Sequence, residues 1–283
     1  MTHGVLGLVV CPMTDDNLIY NLRKDVEDKK VVVVNNDSCG PVKKKLERYF
    51  IPYQAVTWRE ITSHSFEFDP NEYSILIQTI NLGLHSKPEK LKSTVEEITE
   101  DMQPFVDAMG FYLGTCGNYD WNIPRWCEQK GFKPAAMFTD KDGNLCHDCV
   151  GINIAGGPKY HAMQQKYTGH LYMFPAMATN YDEFMEADQA ESAATEASLT
   201  PEMREVLGIE PGRDGYMRWL LSLGGYEYIL KLDTGLGDKE EFERDLQKVS
   251  ERTRLKIKVA EDGWVDLQPT EDLYKKCKSF LQA

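Results

Sequence analysis

The sequence lacks the short motifs that mark the commonest nucleotide and hydrolase sites. It contains no Gly-x-x-x-x-Gly-Lys-Ser/Thr loop, no Gly-x-Gly-x-x-Gly after its first apolar run, and no Gly-x-Ser-x-Gly elbow. These absences argue against a P-loop NTPase, a dinucleotide-binding fold and an α/β-hydrolase. Whatever chemistry the chain performs must rest on other residues.

Positive charge is also scarce. The 283 residues include 45 acidic and 32 basic side chains, for a formal net charge of −13. Nucleic acids and anionic membranes both require a positive footprint, so neither is expected as a partner. The apolar run Val5–Val10 is too short to span a bilayer and follows no basic leader region, so we expect a cytoplasmic protein.

The seven cysteines do not form an even, regularly spaced set. In the reducing cytosol, clustered cysteines are typical of metal-binding or catalytic sites rather than of disulfide frameworks. Cys127 and Cys277 lie within predicted helices, and we expect neither to have a role in a site. The remaining five cysteines are candidates.

Apolar runs of strand length alternate with helical patterns along the chain. This alternation predicts an α/β fold with a mostly parallel sheet and helices on both faces. We expect residues 1–283 to form a single domain, or two similar lobes with a boundary near 186–215. The predicted strands are Val5–Val10, Lys30–Val34, Ala55–Ile61, Tyr73–Ile80, Phe111–Leu113, His170–Phe174, Tyr226–Leu232 and Leu255–Val259.

Several apolar runs end in a cysteine or a histidine within a short polar or glycine-containing turn. Cys11, His85 and Cys116 follow predicted strands, and Cys149 opens a predicted helix. Ligands of open α/β sheets bind outside the carboxyl ends of the strands, so these side chains are expected to converge there. Three thiolates and one imidazole suit zinc or iron.

Other residues could replace or extend this predicted ligand set. His147 is the alternative imidazole, and Cys146 and Cys39 are alternative thiols. Cys146 and Cys149 also have the spacing of a zinc knuckle or a redox dithiol. Cys39 precedes a predicted helix whose N-terminus would favour a thiolate.

Glycines flank the third of these turns, at Gly114 and Gly117, and glycines let a backbone approach a ligand closely. We therefore expect Gly114, Gly117 and Asn118 to contact a bound cofactor. Asp233, at the end of a later predicted strand, is expected to do the same.

The ordered set of motifs resembles the family called domain of unknown function 1638. The segments that carry the resemblance are LHSKPEKL (84–91), LGTCGN (113–118), HDC (147–149), GGPKY (156–160), GHLYM (169–173) and LDTGL (232–236). The resemblance implies a protein of methanogens and other anaerobes, encoded beside corrinoid-dependent methyltransferases. It also implies functional weight on Cys11, His85, Cys116, His147 and Cys149.

These observations support three hypotheses. The first is a zinc- or iron-binding protein of anaerobic one-carbon metabolism and methanogenesis, acting as a metal-dependent methyltransferase or as an accessory to a corrinoid protein. The second is a module that binds and delivers a corrinoid or another tetrapyrrole, although the sequence lacks an Asp-x-His-x-x-Gly signature. The third is a thiol-redox protein that uses Cys146 and Cys149.

Overall fold

The computed structural model describes residues 2–118, 121–212 and 214–282, and it contains an α/β fold. The strands are β1 (Gly4–Val10), β2 (Lys30–Val34), β3 (Tyr53–Val56), β4 (Tyr73–Thr79), β5 (Ala108–Tyr112), β6 (Ala135–Met137), β7 (His170–Met173), β8 (Tyr228–Lys231) and β9 (Lys256–Val259).

Helices connect these strands. They are α1 (Asp15–Lys24), α2 (Gly40–Arg48), α3 (Trp58–Thr62), α4 (Pro88–Met102), α5 (Ile123–Lys130), α6 (Cys149–Asn153), α7 (Gly157–Lys166), α8 (Pro175–Thr179), α9 (Tyr181–Ser198), α10 (Pro201–Val206), α11 (Gly215–Leu223), α12 (Lys239–Thr253) and α13 (Gln268–Phe280). Short 3₁₀ helices cover Pro12–Thr14, Leu82–Ser86 and Gln103–Phe105. Among the described helices, none is both long enough and apolar enough to cross a bilayer.

The chain divides into two compact units, and the parallel sheet of six strands lies in the first. This unit comprises Met1–Tyr160 and Asp266–Ala283. Its strand order is β3-β2-β4-β1-β5-β6, and every pairing is parallel. All seven residues of β1 are buried, as expected for a central strand covered on both faces.

Two apolar clusters cover the two faces of this sheet. On one face, Leu6 and Leu8 of β1 pack with residues of α1, α2 and α13. On the other, Val5 and Val9 pack with residues of α3, α4 and α5. Side chains of a strand alternate between faces, so one continuous apolar run supplies both clusters. The predicted α/β class, parallel sheet and two helical layers are therefore confirmed.

The second unit, His161–Val265, contains a parallel sheet of three strands in the order β7-β8-β9. Ile229 and Leu230 of β8 are fully buried, and Phe242 of α12 is 2% exposed. The boundary predicted near 186–215 falls inside this unit.

One predicted strand was partly wrong. Residues 55–61 were expected to be extended, but β3 ends at Val56 and Trp58–Thr62 form α3. The Thr57 hydroxyl accepts from the Glu60 backbone N–H, and the Glu60 carboxylate accepts from the Thr57 N–H. This capping box starts a helix locally and outweighs the β-branched residues of the segment.

Candidate functional site

Three loops meet at the carboxyl edge of the central strands. β1 lies between β4 and β5, and Ile80 donates to the Val10 carbonyl at 3.0 Å while Cys11 donates to the Tyr112 carbonyl at 2.9 Å. The chain leaves β1 toward the face of α1, but it leaves β4 and β5 toward the opposite face. Such a reversal opens a crevice between adjacent loops, where ligands of open α/β sheets bind.

Cys11 is the first residue after β1 and has an extended backbone (φ −84°, ψ 138°). Pro12 then opens a 3₁₀ turn, and the Thr14 hydroxyl donates to the carbonyls of Cys11 and Tyr112. Cys11 is half-buried and packs against the same apolar cluster as Cys116. The loop after β1 is thus attached to the end of β5.

Cys116 lies in a tight turn with a left-handed backbone (φ 42°), followed by Gly117 at φ 91°. The Asn118 side-chain amide donates to the Thr115 carbonyl at 3.2 Å and to the Pro88 carbonyl at 2.8 Å. A Cβ atom at Gly117 would lie 2.9 Å from the Pro88 ring. Gly117 and Asn118 therefore hold the turn against the start of α4.

His85 lies in the 3₁₀ helix Leu82–Ser86, which directly precedes α4. The Asn81 side chain caps this helix by accepting from the Gly83 N–H at 2.7 Å. Because Pro88 contacts the Cys116 turn, the segment that carries His85 borders the same crevice.

The segment from His147 to Cys149 packs directly on the Cys116 turn. The Cys116 N–H donates to the His147 carbonyl at 2.9 Å, and the Thr115 hydroxyl lies 3.0 Å from His147 Nδ1. Gly114 permits this approach, since a Cβ atom there would lie 2.6 Å from the His147 carbonyl oxygen. The close neighbour of Gly114 is thus another loop of the same chain.

Cys149 is the first residue of α6. Asp148 caps this helix through a bond from the Gly151 N–H to its Oδ1 at 2.6 Å. Burial, reinforced by the charges of Asp148, Cys116 and Cys11, raises the pKa of the Cys149 thiol well above its usual range. Cys149 is the second residue after His147, whose carbonyl accepts from the Cys116 N–H, so the two thiols lie on segments that are bonded to each other.

The thiol of Cys116 is also hard to ionise. Burial and, next, the charge of Asp148 raise the pKa of Cys116 to about 11. At neutral pH such a thiol is protonated and is a poor nucleophile. A bound cation would reverse this preference, because coordination deprotonates a thiol outright.

In the parts of the chain that the structure describes, no three His, Cys, Asp or Glu side chains are arranged as a ready-made metal site. The donor types nevertheless suit a soft metal ion, because the segments that meet at this edge of the sheet carry the thiols of Cys11, Cys116 and Cys149 and the imidazole of His147. We call Cys11, Cys116 and Cys149 the thiol cluster. Its chemistry suits a metal, although its sulfurs are not placed as a closed ligand shell.

The comparison with known families gives a match over most of the chain. The profile of a family described as a protein of unknown function (DUF1638) matches residues 79–270. The chain belongs to this family. The matched range includes His85, Cys116, His147, Cys149 and Asp233, whereas Cys11 precedes it. No curated protein and no solved structure matches the chain.

Two alternative thiols lie in the apolar core. Cys146 is 1% exposed, and burial together with the charge of Asp140 raises its pKa to about 12. Cys39 donates its thiol to the Asn36 carbonyl at 3.0 Å. It follows β2, which β4 separates from β1. Both thiols belong to the apolar cluster on the face of the sheet that α1 covers, whereas Cys11 and Cys116 pack against the apolar cluster on the opposite face.

Asp233 belongs to the second unit and follows β8. Its side chain is exposed and accepts from the Gly235 N–H at 3.1 Å, so it stabilises its own turn. The contact with a cofactor expected for Asp233 stays a prediction.

Sequence reasoning overlooked Thr115 and a buried ionic triad. Thr115 is fully buried and contacts the ring of His147, but a threonine between glycine and cysteine gives no signal of such a role. The triad consists of Lys45 with Asp15 and Asp16, at 2.5 and 2.6 Å. A lysine in a charged helix is expected to be exposed to solvent, yet Lys45 is only 6% exposed.

Proposed function

We propose that the protein binds a soft metal ion, zinc or iron, through the thiolates of Cys11, Cys116 and Cys149. The observation that carries the proposal is the bonding of the three segments that bear these thiols: the Cys11 N–H donates to the Tyr112 carbonyl at the end of β5, and the Cys116 N–H donates to the His147 carbonyl. A single buried thiol is common in protein cores and needs no functional explanation. Three thiols on segments that meet at one edge of a sheet supply soft donors, which suit a soft metal ion better than most other ligands.

The raised thiol pKa values favour a metal site over redox chemistry. Thiol–disulfide exchange requires an attacking thiolate, and the pKa of Cys146, at about 12, leaves almost no thiolate at neutral pH. A metal ion removes this obstacle because it stabilises the thiolate directly.

His147 is the imidazole that we propose as the fourth donor. Its backbone is bonded to Cys116 and its Nδ1 to the buried Thr115 hydroxyl. If Nδ1 carries the proton, the hydroxyl oxygen accepts it and Nε2 presents its lone pair to the metal. Metal-ligating histidines are commonly oriented by such a bond at the other ring nitrogen. His85, on the neighbouring segment, is the alternative donor.

The resemblance described above suggests where such a metal would serve. A zinc ion with an open coordination position ionises a bound thiol or water, which suits methyl transfer to a thiol. With the position closed, the site would be structural, and the protein would be an accessory of a corrinoid system. We propose a role in one-carbon metabolism on this basis; binding of a corrinoid by this chain stays a prediction.

The experiment is a metal titration of anaerobically purified protein. Cobalt(II) reports thiolate ligands through charge-transfer absorption, and competition with zinc gives the affinity. Replacing Cys11, Cys116 or Cys149 with serine should in each case remove one thiolate and weaken cobalt binding by well over tenfold. The controls are Cys127→Ser and Cys277→Ser, since these thiols are buried in helices at 1% and 0% exposure and lie outside the cluster.

Two outcomes would refute the proposal. The first is the absence of any thiolate–cobalt band in the parent protein. The second is equal loss of affinity in the control variants. Comparing His147→Ala with His85→Ala then identifies the imidazole, because removal of a true ligand lowers the affinity and shifts the absorption band.

A further inference from the structure

A network of buried polar side chains joins the segments that carry the thiol cluster. Its members belong to α1, β5, α6 and α13, and each is at most 3% exposed. We call this set the amide network; it consists of Asn17, Asn21, Tyr112, Asn153 and Thr270. Buried polar groups are costly unless their hydrogen bonds are satisfied, so their pairing is informative.

The network begins at Cys149. Asn153, at the end of the same short helix, donates its side-chain amide to the Cys149 carbonyl at 2.9 Å. Helix α6 has five residues, and a single turn is not stable on its own. The orientation of Cys149 therefore depends on what holds Asn153.

Asn17 of α1 holds Asn153. One of its side-chain N–H groups donates to Asn153 Oδ1 at 3.1 Å, and the other donates to the Thr270 hydroxyl at 2.9 Å. Helix α1 follows the Cys11 turn with no intervening loop. The segment that carries Cys149 is thereby bonded to the segment that carries Cys11.

Asn21, one turn later in α1, makes the third connection. Its side-chain amide donates to the Tyr112 hydroxyl at 2.8 Å and to the Thr270 carbonyl at 2.9 Å. Tyr112 ends β5, four residues before Cys116. Thr270 thus accepts from both asparagines, and the network reaches all three segments that carry the thiol cluster.

We propose that Asn17, Asn153 and Thr270 are positioning residues that set Cys149 in register with Cys11 and Cys116. Apolar side chains would fill the same space, but a fully paired polar network specifies one arrangement of the elements it joins. The proposal rests on the proposed function for its metal readout, and it adds a role for the C-terminal helix α13 in the site.

The test compares Thr270→Val with Thr270→Ser. Valine has nearly the shape of threonine but offers Asn17 no acceptor, whereas serine keeps the hydroxyl. Thr99→Val is the matched control, because Thr99 is equally buried and its hydroxyl donates only within α4, to the Val95 carbonyl at 2.6 Å. We expect Thr270→Val to lower cobalt affinity 10–100-fold and to shift the charge-transfer band. Thr270→Ser and Thr99→Val should keep the parental affinity and band.

A second readout needs no metal. A short bifunctional thiol reagent should join Cys149 to Cys11 or Cys116 in the parent, and more slowly in Thr270→Val than in Thr99→Val. Unchanged cross-linking and unchanged affinity in Thr270→Val would overturn the inference. A parent that binds no metal, but whose cross-linking depends on Thr270, would refute only the proposed function. Should Thr270→Val not fold, Asn153→Ala removes the bond to Cys149 and serves in its place.

Discussion

Replacing Gly114 with alanine should separate the two loops that form the candidate site. The added Cβ atom would lie 2.6 Å from the His147 carbonyl oxygen and 2.8 Å from the Asp148 Cα. Both neighbours are backbone atoms, so neither can move away by a change of rotamer. The strain must be relieved by moving the segment that carries Cys149 away from the Cys116 turn.

The size of this effect follows from the contact distances. Ordinary van der Waals contact begins near 3.4 Å, so the two segments must part by about 0.6–0.8 Å. The bond from the Cys116 N–H to the His147 carbonyl, now 2.9 Å, would lengthen with them. Overpacking costs about 1–3 kcal/mol, and loss of the bond adds about 1 kcal/mol to the loss of folding free energy.

Urea unfolding of the metal-free protein measures the stability, and cobalt titration measures the site. Gly40→Ala is the control, because a Cβ atom at the first residue of α2 meets no atom within 4 Å. That variant should be as stable as the parent or up to about 1 kcal/mol more stable. If Gly114→Ala matched Gly40→Ala in both stability and cobalt affinity, the tight packing of the two loops would have no energetic consequence, and our account of the site would be wrong.

Three further predictions concern charge. Lys45→Met leaves the two carboxylates of the buried triad without a cation and should lower the free energy of unfolding in urea by about 3–5 kcal/mol. Lys44→Met, at an exposed position of the same helix, should change this free energy little. Equal effects of the two substitutions would refute the argument that burial makes the Lys45 charge important. In metal-free protein, alkylation of Cys116 should accelerate about tenfold per pH unit and level off near pH 11, and a plateau near pH 9 would contradict the effect of burial on its pKa. Hydrogen bonds from Lys278 and Thr2 hold the pKa of Glu27 at about 2, below its usual 4.5. The stability that this contact contributes is present above pH 4.5 and is lost as the pH falls toward 2. The unfolding midpoints of Glu27→Gln and the parent should therefore differ at pH 6 and converge at low pH. Midpoints that stay equally far apart at every pH would show that the ionisation of Glu27 contributes nothing.

The strands of the first sheet were mostly predictable because their signal is local. β1, β2 and β4 are continuous apolar runs, and such runs occur where a parallel strand is covered on both faces. β6 escaped prediction because Ala135–Met137 is short and has little β-propensity. No helix was predicted over Gly215–Leu223, where α11 forms; its buried residues, Gly215, Tyr216 and Met217, are consecutive and show no helical period.

The candidate site was predictable only as a set of strand ends. Each of Cys11, His85 and Cys116 follows an apolar run, and a parallel sheet places all such ends at one edge. Which ends are neighbours depends on strand order, which no single run encodes. Cys39 satisfied the same local rule as Cys11, but β4 lies between their strands.

The sequence by itself determined the α/β class, the parallel strands and the turns that carry thiols, because these follow from hydrophobic pattern and from residues adjacent in the chain. Only the tertiary structure joined the Cys116 turn to the segment that carries Cys149, and buried Lys45 and Asn17 among their partners. Those contacts join residues from about 30 to about 250 positions apart in the sequence, and they depend on which face of a helix meets the sheet. They arise from packing the whole unit at once, so no local segment records them.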